Sequence, residues 1–161
     1  MKVVFLDIDG VLNSNRFWEN CKNIDEEIDD TAVARLAKIV NATNSIIVLS
    51  SSWRELREEN EIKQYMYNKL KAHNLTIYDQ TPRVQSNRPL EIKTWLIEHK
   101  DLNIEGFVSL DDDFDEIEYE KVGIPNRTIH TSFYDKNNGG LTDDHIDMAI
   151  KILNTPCGVI E

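Results

Sequence analysis

The sequence predicts an α/β domain, three layers deep, in which a mainly parallel central sheet carries helices on both faces. Three observations lead there. Short apolar runs rich in β-branched residues alternate with amphipathic helical patterns along the chain. The strongest runs stop abruptly at polar clusters. The length, 161 residues, suits a single domain over residues 1–161. Folding at this size removes roughly 70% of the chain's surface from water, so neither disulfides nor a structural metal is needed for stability.

The first strand is Lys2–Leu6 (KVVFL), apolar on both faces and cut off at Asp7. A helix over Thr31–Thr43 follows, with Val33, Leu36, Ala37 and Val40 on one face. The second strand, Ser45–Leu49, ends in Ser50, Ser51 and Ser52, and the pattern of Leu56, Ile62, Tyr65, Met66 and Leu70 predicts a helix over Trp53–His73. Thr76–Tyr78 is a weaker strand. Pro89–His99 is a helix with proline in its first turn, where a missing N–H costs least. Phe107–Leu110 is a strand ending in Asp111, Asp112 and Asp113, and Thr128–His130 is another weak one. Thr142 then caps a last helix with Asp143 and Asp144 in its first turn. Residues 13–30, 79–87 and 113–126 read as polar surface loops, each too short to be a domain.

Composition narrows the function. Lys and Arg number 18 against 29 Asp and Glu, a net charge of −11. That field repels polyanions, so general coating of nucleic acid is excluded, while a local basic groove for a nucleic-acid end is not. Cys21 and Cys157 lack any disulfide or zinc spacing and fit a reducing cytoplasm. No apolar run approaches the ~20 residues that span a bilayer, and Asp7 comes too early for a signal peptide.

Ligands of open parallel sheets bind beyond the carboxyl ends of the strands, so the three polar clusters are the candidate site. In FLDIDGVLN, Asp7 and Asp9 lie two apart at a strand end and Gly10 permits a tight turn. A carboxylate can attack phosphorus and split one displacement into two, and a second can protonate the leaving oxygen and then deprotonate water. In LSSSWR, Ser52 or Ser51 can cap the helix behind it, and a helix start is itself a phosphate site. Two carboxylates ~4 Å apart repel by about 4 kcal/mol at an effective dielectric near 20. Gathering Asp7, Asp9, Asp111 and Asp112 at one sheet edge therefore calls for a cation.

The DxDGVL string resembles the first motif of the haloacid dehalogenase (HAD) superfamily, whose fold is a Rossmann-like sandwich, here without a separate cap domain. The resemblance implies Asp7 as nucleophile and Asp9 as proton shuttle, with Asp7 and the Asp9 backbone carbonyl holding Mg2+. It implies Ser51 as the second-motif hydroxyl, with Ser50 as the alternative and Ser52 nearby, because a related pattern has a Trp where Trp53 stands. FVSLDDDFD supplies the acidic pair, Asp112 as direct metal ligand with Asp111 beside it and Asp113 or Asp115 supporting through water. Magnesium suits one or two carboxylates plus water and substrate phosphate. The basic residue of the third motif is Arg88, before the helix, or Lys93, one turn inside it; the two differ because Arg is a planar fork and Lys a point charge. SNRPLEIKTWL and the closing NGGLT also resemble small HAD domains of Swiss-army-knife RNA repair proteins.

The resemblance implies a magnesium-dependent phosphatase acting through an aspartyl phosphate on a phosphorylated small molecule or nucleic-acid end. The alternative is a catalytically weak phosphate-binding or regulatory module on the same fold. A short flap falls at residues 13–30, where Phe17 and Trp18 either touch substrate or pack the loop; Gly10, Ser50, Ser52, Lys93 and Trp18 complete the substrate-binding candidates. His73, His99, His130 and His145 show no metal spacing, and Trp53 and Trp95 read as anchors of helices to the sheet.

Overall fold

A computed structural model describes residues 1–160 apart from Ile24, Asp115, Asn126 and Val159. Five strands, β1 (Lys2–Leu6), β2 (Ile46–Leu49), β3 (Ile77–Gln80), β4 (Gly106–Asp111) and β5 (Thr128–His130), form one sheet in the order β3-β2-β1-β4-β5. Every pairing is parallel, with Leu6 level with Leu49 on one side and Leu110 on the other.

Alternation along β1 divides the core. Val4 and Leu6 face a cluster built with α2 (Asp30–Thr43), α3 (Glu61–Ala72) and α6 (Asp143–Asn154). Val3 and Phe5 face a smaller one with α4 (Arg88–Glu98) and α5 (Glu116–Lys121), where Trp95 meets Phe5 edge to face at 5.4 Å. Helices following β1 and β2 thus lie on one face, and those following β3 and β4 on the other. The chain reverses direction across the sheet between β1 and β4, and a crevice opens at their carboxyl ends.

Three expectations need correction. The helix expected over Trp53–His73 is instead a 3-10 turn, Ser52–Glu55, followed by α3. Asn60 starts α3 by accepting from the N–H groups of Ile62 and Lys63, and the buried Lys63 ammonium donates to the carbonyl of Leu56 at 3.1 Å, which satisfies backbone that a continuous helix would have paired. Two segments read as loops contain helices: α1 (Asn15–Asn20), capped by Ser14, and α5, anchored by the buried Tyr119. The third strand runs Ile77–Gln80 rather than from Thr76 to Tyr78. Among the described residues no helix is long and apolar enough to cross a membrane.

Candidate active site

Strand β1 delivers Asp7 to the crevice, where its N–H donates to the Leu110 carbonyl at 3.1 Å and so continues the ladder one residue past the apolar run. The Asp7 carboxylate is buried, and its Oδ1 accepts from the Ile8 N–H at 2.8 Å. Its Oδ2 lies 3.4 Å from Nη1 of Arg88. The Ser51 side chain lies near enough to this carboxylate to favour its charged form.

Across the crevice, Asp111 ends β4. Its Oδ2 accepts from Arg88 Nη1 at 3.0 Å and its Oδ1 from the Asp113 N–H at 3.0 Å. Asp112 turns its carboxylate onto the backbone of Gly10, so closely that a Cβ there would come within 2.1 Å of it. Gly10 also has φ of 77°, which L side chains rarely adopt. Conformation and contact both require glycine at this position, and the turn after Asp9 thereby joins the acidic end of β4. Asp7, Asp111 and Asp112 each offer a carboxylate oxygen, and these atoms lie within 4.8 Å of one another.

The electrostatics follow from this crowding. Burial, then the neighbouring Asp7, pushes Asp111 up to about 7 and Asp112 up to about 6. Burial raises Asp7 as well, against the pull of Arg88 and Ser51. Burial would make Arg88 release its proton more readily, but Asp7 and Asp111 reverse the effect and hold it charged. One guanidinium facing three carboxylates leaves negative charge uncompensated. An all-oxygen carboxylate set of this kind fits a hard divalent cation such as Mg2+ and does not fit a thiophilic metal.

Asp9 sits apart. Its Oδ1 accepts from Asn13 Nδ2 and its Oδ2 from Trp53 Nε1, both at 2.9 Å. The Asp9 carboxylate is therefore not among the clustered metal-ligand candidates, and only its backbone carbonyl remains as a metal contact. Asn13 is buried, and its Oδ1 accepts from the Gly10 N–H at 3.0 Å, while Thr131 donates to the Gly10 carbonyl at 2.7 Å.

The alternatives separate by direction. Ser51 lies beside Asp7 and also accepts from the Trp53 N–H at 3.3 Å, so it both caps the 3-10 turn and borders the carboxylate cluster. Ser50 turns its hydroxyl toward Thr81, 3.5 Å away, and only its carbonyl reaches the site, where Arg88 donates to it. Ser52 lines a cavity beside Arg88. Arg88, at the first turn of α4, enters the cluster. Lys93 does not: its Nζ lies 3.7 Å from where a Cβ on Gly123 would be, beyond the end of α5. Trp18 stays partly exposed and meets Phe133 edge to face at 5.3 Å. Asp113 is exposed, and Asp115 lies outside the described residues.

Sequence reasoning overlooks Asn13, Thr131 and the indole of Trp53. Asn13 carries a readable signal, an Asx-type side chain three residues after Gly10. Trp53 is spaced as an anchor and does bury its ring, but its N–H is spent on Asp9. His130 ends β5 level with Asp111, so this histidine does stand at the acidic strand end.

Comparison with known families finds one match: residues 3–146 fit the family described as HAD domain in Swiss Army Knife RNA repair proteins. Neither the curated proteins nor the solved structures give a match.

Proposed function

The chain belongs to the family of HAD domains in Swiss Army Knife RNA repair proteins, and from that premise we propose that it is a magnesium-dependent phosphatase that hydrolyses phosphate monoesters, with nucleotide or polynucleotide ends as the preferred substrate class. One observation carries the reading: Asp7, Asp111 and Asp112 converge within 4.8 Å at the β1–β4 crevice, with the Arg88 guanidinium on Asp7 and Asp111 and Ser51 beside Asp7.

In this reading an Asp7 carboxylate oxygen attacks phosphorus and forms an aspartyl phosphate, while the bond to the leaving oxygen breaks. Asp9 gives that oxygen a proton. Asp9 then takes a proton from water, which attacks the same phosphorus and releases inorganic phosphate and the free Asp7 carboxylate. Ser51 and Arg88 donate to the phosphoryl oxygens as charge moves onto them. Arg88 also screens the incoming phosphate from Asp7 and Asp111. Magnesium, for which Asp7, Asp111, Asp112 and the Asp9 carbonyl are the candidate ligands, supplies neutralisation of the phosphoryl charge when bound.

Residues 1–161 act as one domain in this proposal, and residues 13–30 form its flap. The flap contributes a single short helix, α1, too small to close over the crevice as a cap would, which leaves room for a substrate as large as a strand end. Phosphate release from an aryl phosphate in magnesium tests the proposal. Wild type turns over, and Asp7→Asn falls by at least about a thousandfold, as for loss of a catalytic nucleophile. Turnover that survives the substitution refutes Asp7 as nucleophile; a wild type that binds phosphate but does not turn over assigns the chain to the phosphate-binding alternative.

A further inference from the structure

A second cavity, of about 160 Å³, adjoins the reaction centre and shares Arg88 with it. Its walls set Arg54, Arg83 and Arg88 against Glu55 and Glu91, with Ser52 and Ser86 as hydroxyls. Three guanidinium groups against two carboxylates around one small space stand out in a chain of net charge −11.

The three arginines are held differently. Arg54 is buried, its Nη2 on Glu91 Oε2 at 2.8 Å and its Nη1 on the Ser51 carbonyl at 2.9 Å, so it forms a fixed wall. Arg88 reaches into the cluster through Nη1, and its guanidinium carbon lies 5.7 Å from the centre of the Phe114 ring. Arg83 is the exposed one. It meets Glu55 at 3.0 Å in a pair open to solvent, which another anion can displace.

The loop that carries Arg83 is shaped at a cost. Gln85 and Ser86 both have left-handed backbone, φ of 54° and 53°, where neither is glycine. The buried Glu91 holds that shape, accepting the Val84 N–H at 3.0 Å with the oxygen that Arg54 does not use. Strained backbone, tied to a buried carboxylate at Val84, carries Arg83 and Ser86 to the cavity wall.

We propose that this cavity is a subsite for a second phosphate group of the substrate, next to the one that is cleaved. The proposal rests on the phosphomonoesterase reading of the main site. Guanidinium forks and hydroxyls suit phosphate oxygens, and the volume admits a phosphate. Arg88, in contact with both spaces, spans the two phosphates. The ligand chemistry is thus a phosphomonoester with a neighbouring phosphate, which a nucleoside bisphosphate and a phosphate-terminated oligonucleotide both offer.

Specificity constants for a nucleoside 5′-monophosphate, a nucleoside 3′,5′-bisphosphate and a 5′-phosphorylated dinucleotide test this with wild type, Arg83→Ala and Arg83→Glu. Wild type favours the two substrates with a second phosphate by at least tenfold over the monophosphate. The Arg83 variants reduce that advantage below threefold, with Glu the more severe. Advantage for the bisphosphate alone identifies a terminal phosphate as the ligand, and advantage for both extends it to a phosphodiester. No advantage in wild type, or an equal loss on all three substrates, overturns the subsite. Should no substrate turn over, the phosphatase reading has failed separately, and calorimetric binding of the bisphosphate decides the subsite: weaker binding to Arg83→Glu supports it, equal binding overturns it.

Discussion

Asp7 and Asp9 are separated by one residue, yet they occupy opposite environments. Asp7 is crowded with Asp111 and Asp112 beneath a single guanidinium, and all three carboxyls hold their protons more tightly than usual. Asp9 accepts one neutral N–H on each oxygen, from Asn13 and Trp53, and stands outside the crowd. The difference teaches how a DxD string divides labour. Burial and like charge crowd one carboxylate, whereas neutral donors orient the other, and the proposed mechanism gives the first the part of nucleophile and the second that of proton shuttle.

Three changes break or sharpen that contrast. The largest effect is expected from Trp53→Phe, which keeps an aromatic ring but deletes the donor to Asp9 Oδ2. If Trp53 aims Asp9, kcat falls by about ten- to a hundredfold, within the range that general acid–base catalysis supplies. With an aryl phosphate, whose leaving group needs little protonation, the loss falls on the second step, so phosphorylated Asp7 accumulates in quenched-flow samples. A variant with wild-type kcat and no accumulation removes Trp53 from the positioning of Asp9.

Gly10→Ala acts on the crowded side. The added methyl would overlap the Asp112 carboxylate and force a left-handed backbone, which costs about 1–3 kcal/mol for the strain alone. Denaturant unfolding should show at least that loss. In addition, magnesium should raise the melting temperature of this variant less than that of wild type, because Asp112 is displaced. An equal magnesium shift would mean that Asp112 is not a ligand.

The smallest effect concerns pH. Asp112 titrates near 6 in the folded chain and near its ordinary 3.8 when unfolded. The folded state therefore binds this proton more tightly, and the contribution of Asp112 to the stability of the metal-free protein falls as pH rises from about 4 to 6 and then levels off, while Asp111, pushed up to about 7, extends the decline beyond it. Asp112→Asn removes the Asp112 part of this decline. Its stability relative to wild type should grow over that window to about 1 kcal/mol, allowing for solvent screening of a half-exposed group. Saturating magnesium should reverse the order, since wild type alone keeps the ligand. A constant difference between pH 4 and 7 would show that Asp112 carries no excess charge cost.

Much of the fold is legible in the chain. The strands β1, β2 and β4 are buried on both faces and read as continuous apolar runs, so hydrophobicity locates them and the polar residue after each marks the ligand edge. The break before α3 is less legible, since Met66 and Leu70 keep a helical phase with Leu56 and disguise it. Asn60 and Glu61, a cap followed by an acidic first turn, are the local signal for it. Helix α5 is short and half Glu, with only Tyr119 buried, so its pattern is indistinguishable from a solvated loop.

Sequence by itself determined which residue types end the central strands, because a buried parallel strand tolerates no charge until it leaves the sheet. It thereby placed Asp7, the serine run and the aspartate run along one edge. Only the tertiary structure decided which members of each run meet. Ser51 rather than Ser50 lies beside Asp7 because successive side chains diverge at the end of β2. Arg88 rather than Lys93 reaches the carboxylates because α4 begins at the crevice and runs away from it. The bond from Trp53 to Asp9 joins residues 44 apart in the chain. Such meetings depend on strand order and crossover, which arise from packing among distant segments and which no local pattern encodes.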